Sequence, residues 1–271
     1  MLITKRISQQ SLTLLGVLLL ALSVMVTADV ADENSENLKP WLNRWESRQI
    51  GFHLSDVNAV LTKFADKLLM AEGEEDCSAT RVFVPLCGKT LDMVYLASRA
   101  GDLYGVEGIK TALEEFAAEH PEFQLENKGT SNGFERFQGK QITLLKGDYF
   151  QLSQGHTEGQ FDAVYDRGSL VAINPALRSE YVKVLGGLLA KGARILLVTY
   201  ERIGTPEAMA TGPPFSITET GVREIYEGLD WVESVTLLHK EDQLISFPGV
   251  KERSPGLDGL VETVYLIQAK K

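Results

Sequence analysis

Two charged residues stand where a sheet of parallel strands can hold a ligand and act on it. Glu107 ends the apolar run 103–106, and Gly88 lies nineteen positions earlier, in a turn between the apolar run 82–84 and an amphipathic helix. A carboxylate in this position can accept hydrogen bonds from the hydroxyl groups of a ribose. Arg167 follows a later apolar run and carries a permanent charge on a rigid set of donors. These residues predict a nucleoside pocket with a fixed cation beside it.

The turn at Gly88 has too few glycines for the common phosphate-binding motifs. Gly88, Lys89 and Thr90 imitate the end of a P-loop, but that motif needs a glycine five positions before Gly88, where Phe83 stands. A dinucleotide fingerprint needs three spaced glycines, and this turn has one. The turn therefore suits a ligand without a pyrophosphate, such as S-adenosylmethionine. The alternative is an ordinary strand-to-helix turn that binds nothing.

A second acidic position follows the third apolar run, 142–145, where Asp148 and Tyr149 come next to each other. An acidic side chain there can accept a hydrogen bond from the amino group of adenine, and a neighbouring aromatic ring can stack on the base. The alternative for Asp148 is a capping role in a loop.

The segment 41–53 is rich in aromatic residues. Trp41 and Trp45 are four positions apart, so they share one face if the segment forms a helix. That helix can simply pack on the sheet, or its rings can cover a sulfonium cation, which aromatic faces attract. His53 is a candidate base in this segment, with a structural role as the alternative.

Four motifs in this order resemble the thiopurine S-methyltransferase family. They are PLCGK at 85–89, GVE at 105–107, DRGSLVAINP at 166–175 and GPPF at 212–215. The resemblance extends from about Trp41 to the C-terminus. It implies a class I methyltransferase fold of the α/β type, with three αβα layers, Rossmann-like, and a seven-stranded, mostly parallel sheet whose last strand is antiparallel. The alternating segments 231–239 and 261–268 are predicted to form the final antiparallel pair.

The resemblance also implies roles for individual residues. The cofactor contacts are Trp41, Trp45, Leu86, Gly88, Glu107, Asp148, Tyr149 and Arg167. The substrate contacts are Phe52, Pro214 and Phe215. Arg167 is also expected beside the sulfur acceptor as a catalytic residue. Arg253 matches the family's second active-site arginine only if a two-residue gap is allowed.

The reaction implied is transfer of a methyl group from S-adenosylmethionine to a thiol or thiopurine-like acceptor, with release of S-adenosylhomocysteine. An arginine can lower the pKa of a thiol, and neither a nucleophilic residue nor a metal is required. Selenium or tellurium compounds, sulfide and halide are alternative acceptors. A non-catalytic S-adenosylmethionine-binding protein and a nucleotide-binding dehydrogenase are the rival classes, and the single glycine of the first turn disfavours the dehydrogenase.

The composition limits the partners. The formal charge of −10 argues against binding to nucleic acid or to an anionic membrane surface. A chain of 271 residues with 44% hydrophobic content can build one sizeable core. The two cysteines cannot supply a disulfide framework. We expect a monomer that binds a small-molecule acceptor.

The N-terminus has the pattern of a secretory signal peptide. Lys5 and Arg6 precede an uncharged run from 12 to 26, and Ala28 offers a small residue for cleavage. The expected organisation is a signal peptide at 1–28, an acidic linker at 29–40 and a methyltransferase domain at 41–271. This predicts a secretory-pathway protein without stable membrane association after cleavage. An uncleaved membrane anchor or a cytoplasmic extension is the alternative.

Overall fold

The computed structural model describes residues 35–71 and 73–271. The predicted signal peptide lies outside the described residues, so its presence and cleavage stay predictions. Within the described ranges, no helix is long and apolar enough to cross a bilayer.

The strands of the described chain, in sequence order, are β1 (Arg81–Val84), β2 (Asp102–Glu107), β3 (Glu126–Ser131), β4 (Phe134–Gln138), β5 (Ile142–Lys146), β6 (Phe161–Arg167), β7 (Leu189–Gly204), β8 (Val232–Asp242) and β9 (Leu257–Ala269). The helices are α1 (Lys39–Glu46), α2 (Ala59–Leu69), α3 (Asp92–Ala97), α4 (Lys110–Glu119), α5 (Gln154–Thr157), α6 (Arg178–Gly187), α7 (Pro206–Ala210), α8 (Glu219–Tyr226) and α9 (Pro248–Glu252). Short 3₁₀ turns cover Pro121–Phe123, Tyr149–Gln151 and Pro175–Leu177.

These strands form one mixed sheet in the order β3-β4-β5-β2-β1-β6-β7-β9-β8. The five central strands, from β5 to β7, run parallel, and β9 pairs antiparallel with both β7 and β8. The predicted α/β fold and the predicted insertion of the last strand are therefore confirmed. The chain crosses from β1 to β2 in one direction and later returns to β6 on the other side. This is the switch point at which open α/β sheets bind ligands.

The sheet has two more strands than the seven predicted. They are β3 and β4, which form a hairpin in the polar segment 124–140, and β4 pairs antiparallel with β5. Phe134 and Phe137 of β4 are buried, whereas all six residues of β3 are exposed. An edge strand that buries none of its side chains shows no hydrophobic pattern in the sequence, which is why β3 was missed.

The helix before β1 begins later than its sequence suggests. Ser55 and Asp56 are of residue types that commonly cap helices, but Asn58 is the N-cap residue of α2 and accepts a hydrogen bond from the Val60 N–H at 2.8 Å. The Asn58 N–H in turn donates to the Asp92 carboxylate at 2.8 Å. The cap therefore lies where it can also join α2 to the start of α3, which local sequence cannot reveal.

Helix α1 packs on the rest of the domain through a small apolar cluster that is separate from the main core. Trp45 packs with Ile109 and Ala112 of the β2–α4 region, and Leu38 contacts the same cluster. Part of the predicted linker is thus ordered, because α1 begins at Lys39 and Leu38 packs on the domain. This docking holds the aromatic face of α1 above the carboxyl ends of β1 and β2.

Candidate functional site

A cavity of about 1050 Å³ opens at the carboxyl edge of the parallel strands, beside the switch point. It is lined by α1 and the segment after it, by the turns that follow β1, β2, β5 and β6, and by parts of 213–214 and 247–253. Ligand pockets usually enclose about 300–1,000 Å³. The cavity therefore has room for a cofactor and a second small molecule.

Every predicted site residue except Phe215 lines this cavity. The Phe215 ring instead packs over Gly212, where an added Cβ would lie 2.4 Å from a ring carbon. The Phe215 N–H donates to the Val171 carbonyl at 2.7 Å. Phe215 therefore fixes the shape of the 212–215 turn, and Pro213 and Pro214 supply the cavity wall that Phe215 was predicted to supply.

Glu107 joins the two turns that form the centre of the cavity. Its Oε2 accepts from the Gly88 N–H at 2.9 Å, and its Oε1 accepts from the Ile109 N–H at 2.9 Å. Only 9% of the residue is exposed. A carboxylate can accept about four hydrogen bonds, so this bridging role is compatible with binding ligand hydroxyls.

The glycine turn is shaped for contact with the aromatic helix above it. Gly88 has a φ of +52°, and a Cβ at this position would lie 3.4 Å from the Trp45 ring. The Phe52 ring meets the edges of Trp41 and Trp45 at centroid distances of 5.7 and 5.9 Å. We call Trp41, Trp45 and Phe52 the aromatic lid. The lid lies directly on the turn that follows β1.

Lys89 does not behave as a phosphate-binding lysine. Its side chain is buried, and its Nζ pairs with Glu115 at 3.0 Å and Glu119 at 2.5 Å on α4. The charge is thus used within the protein to hold the turn against α4. The likeness of this turn to a P-loop ending is superficial.

Arg167 ties the lid to the sheet. Its Nη1 donates to the Phe52 carbonyl at 3.0 Å, while its buried Nε has no hydrogen-bond partner among the described residues. Burial acts to lower the pKa of Arg167, but nearby Tyr200, Tyr165, Asp92 and Glu262 outweigh it and raise the pKa. Arg167 is therefore a permanent cation at the cavity wall, and its Nε–H donor has no partner among the described residues. A buried donor without a partner is costly unless a ligand or water meets it.

His53 lies in the same part of the cavity as Arg167. Its Nδ1 is buried and has no partner among the described residues. Burial, followed by the positive charge of Lys89, lowers the pKa of His53. The imidazole is therefore neutral at pH 7 and can accept a proton.

The structure is compatible with the role predicted for Asp148 and less so with the role predicted for Tyr149. Asp148 lines the cavity and caps the following turn by accepting from the Phe150 N–H at 3.0 Å. The Tyr149 ring is only 2% exposed, stacks on Tyr181 at 4.5 Å and donates its hydroxyl to the Tyr181 carbonyl at 2.9 Å. Its ring thus belongs to the core, and the partly buried Phe150 is the better placed ring for stacking on a base.

Arg44, Asp92 and Tyr165 are polar residues of the cavity that sequence reasoning did not assign to the site. Asp92 Oδ2 and the Tyr165 hydroxyl are buried and lack hydrogen-bond partners in the described chain. The only sequence signal for Asp92 is its place in the helix after the glycine turn, where a capping role explains it equally well. Tyr165 reads as one more apolar residue of β6. Arg44 precedes Trp45 on α1, where a charged residue would normally be assigned to the solvent face.

The neighbouring Asp166 positions the end of β6. Its carboxylate accepts from the Leu170 N–H at 3.1 Å and from the Tyr181 hydroxyl at 2.8 Å. Complete burial raises its pKa to about 6, although these hydrogen bonds act in the opposite direction. The Ser169 hydroxyl donates to the Pro85 carbonyl at 2.7 Å and joins this loop to the turn after β1.

Cys87 does not have the properties of a nucleophile. It is buried, and burial together with the negative charge of Glu107 raises the pKa of its thiol. Both cysteines of the chain are free thiols. Within the described ranges, no three His, Cys, Asp or Glu side chains are grouped so as to hold a metal ion.

Comparison with solved structures shows the same architecture elsewhere. The chain superposes with a TM-score of 0.54 on the 1,6-didemethyltoxoflavin-N1-methyltransferase of Burkholderia thailandensis, at 15% identity, covering 91% of this chain and 94% of that one. It superposes with a TM-score of 0.53 on magnesium protoporphyrin IX methyltransferase from Synechocystis, at 13% identity, covering 87% and 100% of the two chains. The fold is therefore that of the class I methyltransferases.

Sequence comparison is more specific. The family model of thiopurine S-methyltransferase (TPMT) matches residues 36–270. A thiopurine S-methyltransferase from Pseudomonas paraeruginosa is 38% identical over 230 residues, which cover 84% of this chain and 97% of the relative. One from Nitrosospira multiformis is 36% identical over 233 residues, with 85% and 97% covered. The chain belongs to the thiopurine S-methyltransferase family and is an S-adenosylmethionine-dependent methyltransferase.

The raised pKa of Asp166 predicts a specific dependence of stability on pH. Between pH values of about 4 and 6 the folded protein holds a proton that the unfolded chain has released, so the free energy of unfolding falls as the pH rises through this window. The contribution is about 3 kcal/mol. Asp166→Asn removes the titrating group. The difference in free energy of unfolding between wild type and variant should therefore change by this amount between pH 4 and 7, and the wild type should gain stability relative to the variant as the pH is lowered.

Urea denaturation of both proteins at several pH values measures this effect. The amide keeps one acceptor oxygen, which can still accept from the Leu170 N–H, and replaces the oxygen that accepts from the Tyr181 hydroxyl, but that loss is the same at every pH. A difference between the two proteins that stays constant from pH 4 to 7 would contradict the assignment.

Proposed function

We propose that this enzyme methylates a sulfur acceptor, a thiol or a thiopurine-like compound, and releases S-adenosylhomocysteine. The observation that carries the proposal is Arg167, a permanent and partly buried cation whose buried Nε lacks a partner among the described residues at the cavity wall. A fixed positive charge favours a thiolate over a thiol. A thiol with a moderately low pKa then needs little further help to lose its proton.

The cofactor half of the cavity has the groups that S-adenosylmethionine requires. Glu107 is proposed to bind the ribose hydroxyls, Asp148 the adenine amino group and Phe150 the face of the base. The aromatic lid is proposed to cover the sulfonium, because cations are attracted to aromatic faces. The close approach of Trp45 to Gly88 supports this arrangement, since it brings an aromatic ring against the turn expected to hold the cofactor.

The bound cofactor supplies a methyl group already activated by its positive sulfur. The protein then has to orient the acceptor and exclude water, and such positioning can account for about 7–11 kcal/mol of a reaction barrier. Arg167 is proposed to hold the acceptor sulfur as a thiolate. Neutral His53, whose Nδ1 lacks a partner in the described chain, is proposed to accept the thiol proton where the acceptor has not already lost it.

Selenium and tellurium compounds, sulfide and halide remain the alternative acceptors. A screen for methyl transfer to these compounds and to thiols tests the proposal directly. It uses protein that begins near Asp29 and S-adenosylmethionine with a radiolabelled methyl group. Transfer to thiols supports it, and transfer to halide alone would contradict it. The monomeric state and the absence of nucleic-acid partners are part of the same proposal, as is a cleaved signal peptide that directs the enzyme to the secretory pathway.

Replacing Glu107 tests the ribose assignment. Glu107→Gln keeps one acceptor oxygen and removes the charge, and we expect it to weaken S-adenosylhomocysteine binding by about 1–3 kcal/mol because hydrogen bonds to a charged group are lost. Isothermal titration calorimetry measures the change. Glu114→Gln, an exposed position of α4 that does not line the cavity, is the matched control and should bind as wild type does. Equal affinity of Glu107→Gln and wild type would reject the ribose role.

Replacing Arg167 tests the thiolate assignment. We expect Arg167→Met to lower kcat/KM for a thiol by about 10²–10³-fold, the usual effect of removing a preorganised group that stabilises negative charge. The loss should shrink at high pH, where the thiol ionises without the help of a cation, and cofactor affinity should fall less than turnover. Arg223→Met, a position of α8 outside the cavity lining, is the control. Equal losses in turnover and cofactor affinity, with no dependence on pH, would make Arg167 a cofactor ligand only.

A further inference from the structure

We infer that the acceptor of this enzyme carries an anionic group, such as a carboxylate, in addition to its sulfur, and that Arg253 and Arg44 bind this group. The inference rests on the proposed sulfur methylation and specifies its substrate class. Arg44 comes from α1 and Arg253 directly follows α9, so two segments far apart in the chain bring guanidinium groups to the same cavity.

Among the residues that the structure describes, the two guanidinium groups have no acidic partners. Neither Arg44 nor Arg253 forms an ion pair with an Asp or Glu side chain of the described chain, whereas Arg48 pairs with Glu115 and Arg167 donates to the Phe52 carbonyl. Carboxylates do line the cavity at Asp92, Glu107 and Asp148. None of these three lies within ion-pair distance of Arg44 or Arg253 in the described structure.

Arg44 is oriented without being neutralised. Its guanidinium lies 5.6 Å from the centroid of the Trp41 ring, a cation–π contact that fixes its direction and leaves its donors available. Burial, and then the positive charge of Arg253, lower the pKa of Arg44. Both residues line the same cavity, where their like charges act against each other. An anion bound near both would remove that repulsion.

A third arginine adds positive charge behind this site. Arg202 is only 3% exposed and donates to the Ala208 carbonyl at 2.9 Å and to the Thr211 hydroxyl at 2.7 Å, with a further hydrogen bond to the Ser254 hydroxyl. All these acceptors are neutral, so its charge is not cancelled. The acceptor half of the cavity is thus locally positive in a protein whose formal charge is −10. A guanidinium fork matches the geometry of a carboxylate and can bind it through two parallel hydrogen bonds.

The carboxylate of the cofactor's methionine group is a second possible occupant of the same arginines, so the experiment has to separate the two. The probes are 3-mercaptopropionate and 3-mercaptopropionamide, which have nearly the same shape and differ in charge. The quantity measured is the ratio of their kcat/KM values at saturating S-adenosylmethionine. This ratio cancels any effect of a substitution on folding or on the cofactor.

We expect the wild type to prefer the charged thiol, and Arg253→Met and Arg44→Met each to reduce the ratio by about 10- to 100-fold, since a charge-assisted hydrogen bond is lost. Lys251→Met removes a positive charge from the exposed side of α9, outside the cavity lining, and should leave the ratio unchanged. An unchanged ratio in Arg253→Met and Arg44→Met, or no preference in the wild type, would overturn the inference.

A binding experiment distinguishes failure of this inference from failure of the proposed function. The methylated product, 3-(methylthio)propionate, is titrated into protein saturated with S-adenosylhomocysteine, with 3-(methylthio)propionamide as the uncharged control. Loss of product binding in the arginine variants supports the anion site even if neither thiol is methylated, in which case only the sulfur assignment fails. Weaker S-adenosylhomocysteine binding with unchanged product binding would assign the arginines to the cofactor and overturn the inference.

Discussion

One carboxylate determines how the parts of the cavity are arranged. Glu107 ends β2, and its two oxygens hold the backbone of the turn after β1 and the backbone that leads into α4. Each of these two segments then supports part of the aromatic lid, because Gly88 meets Trp45 and Ile109 packs with it. The side chain proposed to recognise the ribose is therefore also the group that sets the geometry around it. The structural role seen for this residue is thus compatible with the ribose-binding role proposed for it.

The charges in the cavity are divided between its two halves. Glu107 and Asp148 are proposed to bind the adenosine, and the arginines are proposed to bind the acceptor. A third cavity carboxylate, Asp92, acts on Arg167 and offsets part of the positive charge on the acceptor side. Hydroxyl and amino groups of a nucleoside are hydrogen-bond donors, so they need acceptors. A thiolate and a second anionic group need cations. This separation gives each ligand an electrostatic reason to enter only its own half.

The parallel core of the sheet was predictable because each of its strands is an apolar run buried on both faces. The carboxyl ends of those strands then follow from topology, so Glu107 and Arg167 could be placed beside one cavity without a structure. The roles of the three residues of the aromatic lid were predicted from the resemblance to the family. The exposed edge strand β3 has no such pattern, so it could not be predicted from hydrophobicity. The cap at Asn58 depends on Asp92 in another helix, so it could not be predicted from the neighbouring sequence.

The remaining errors concern the direction of side chains. Tyr149 and Phe150 are adjacent aromatic residues, and only the packing of Tyr149 on Tyr181 decides which ring stays at the cavity. The Phe215 ring likewise packs on Gly212 rather than facing the cavity, a contact that its sequence neighbours do not indicate. Arg44 was overlooked because nothing in its neighbours distinguishes it from a solvated helix residue. Arg253, by contrast, was placed at the site even though its match to the family required a gap.

Glu115 makes two contacts that differ in their sensitivity to ionic strength. It pairs with Lys89, whose side chain is 9% exposed, and with Arg48, whose side chain is 66% exposed. Dissolved ions screen exposed pairs much more than buried ones. Added salt therefore loosens the segment that follows α1 while the turn after β1 keeps its anchor. Glu115 thus links two segments of the cavity that respond differently to salt, and the turn after β1 has a further ion pair with Glu119.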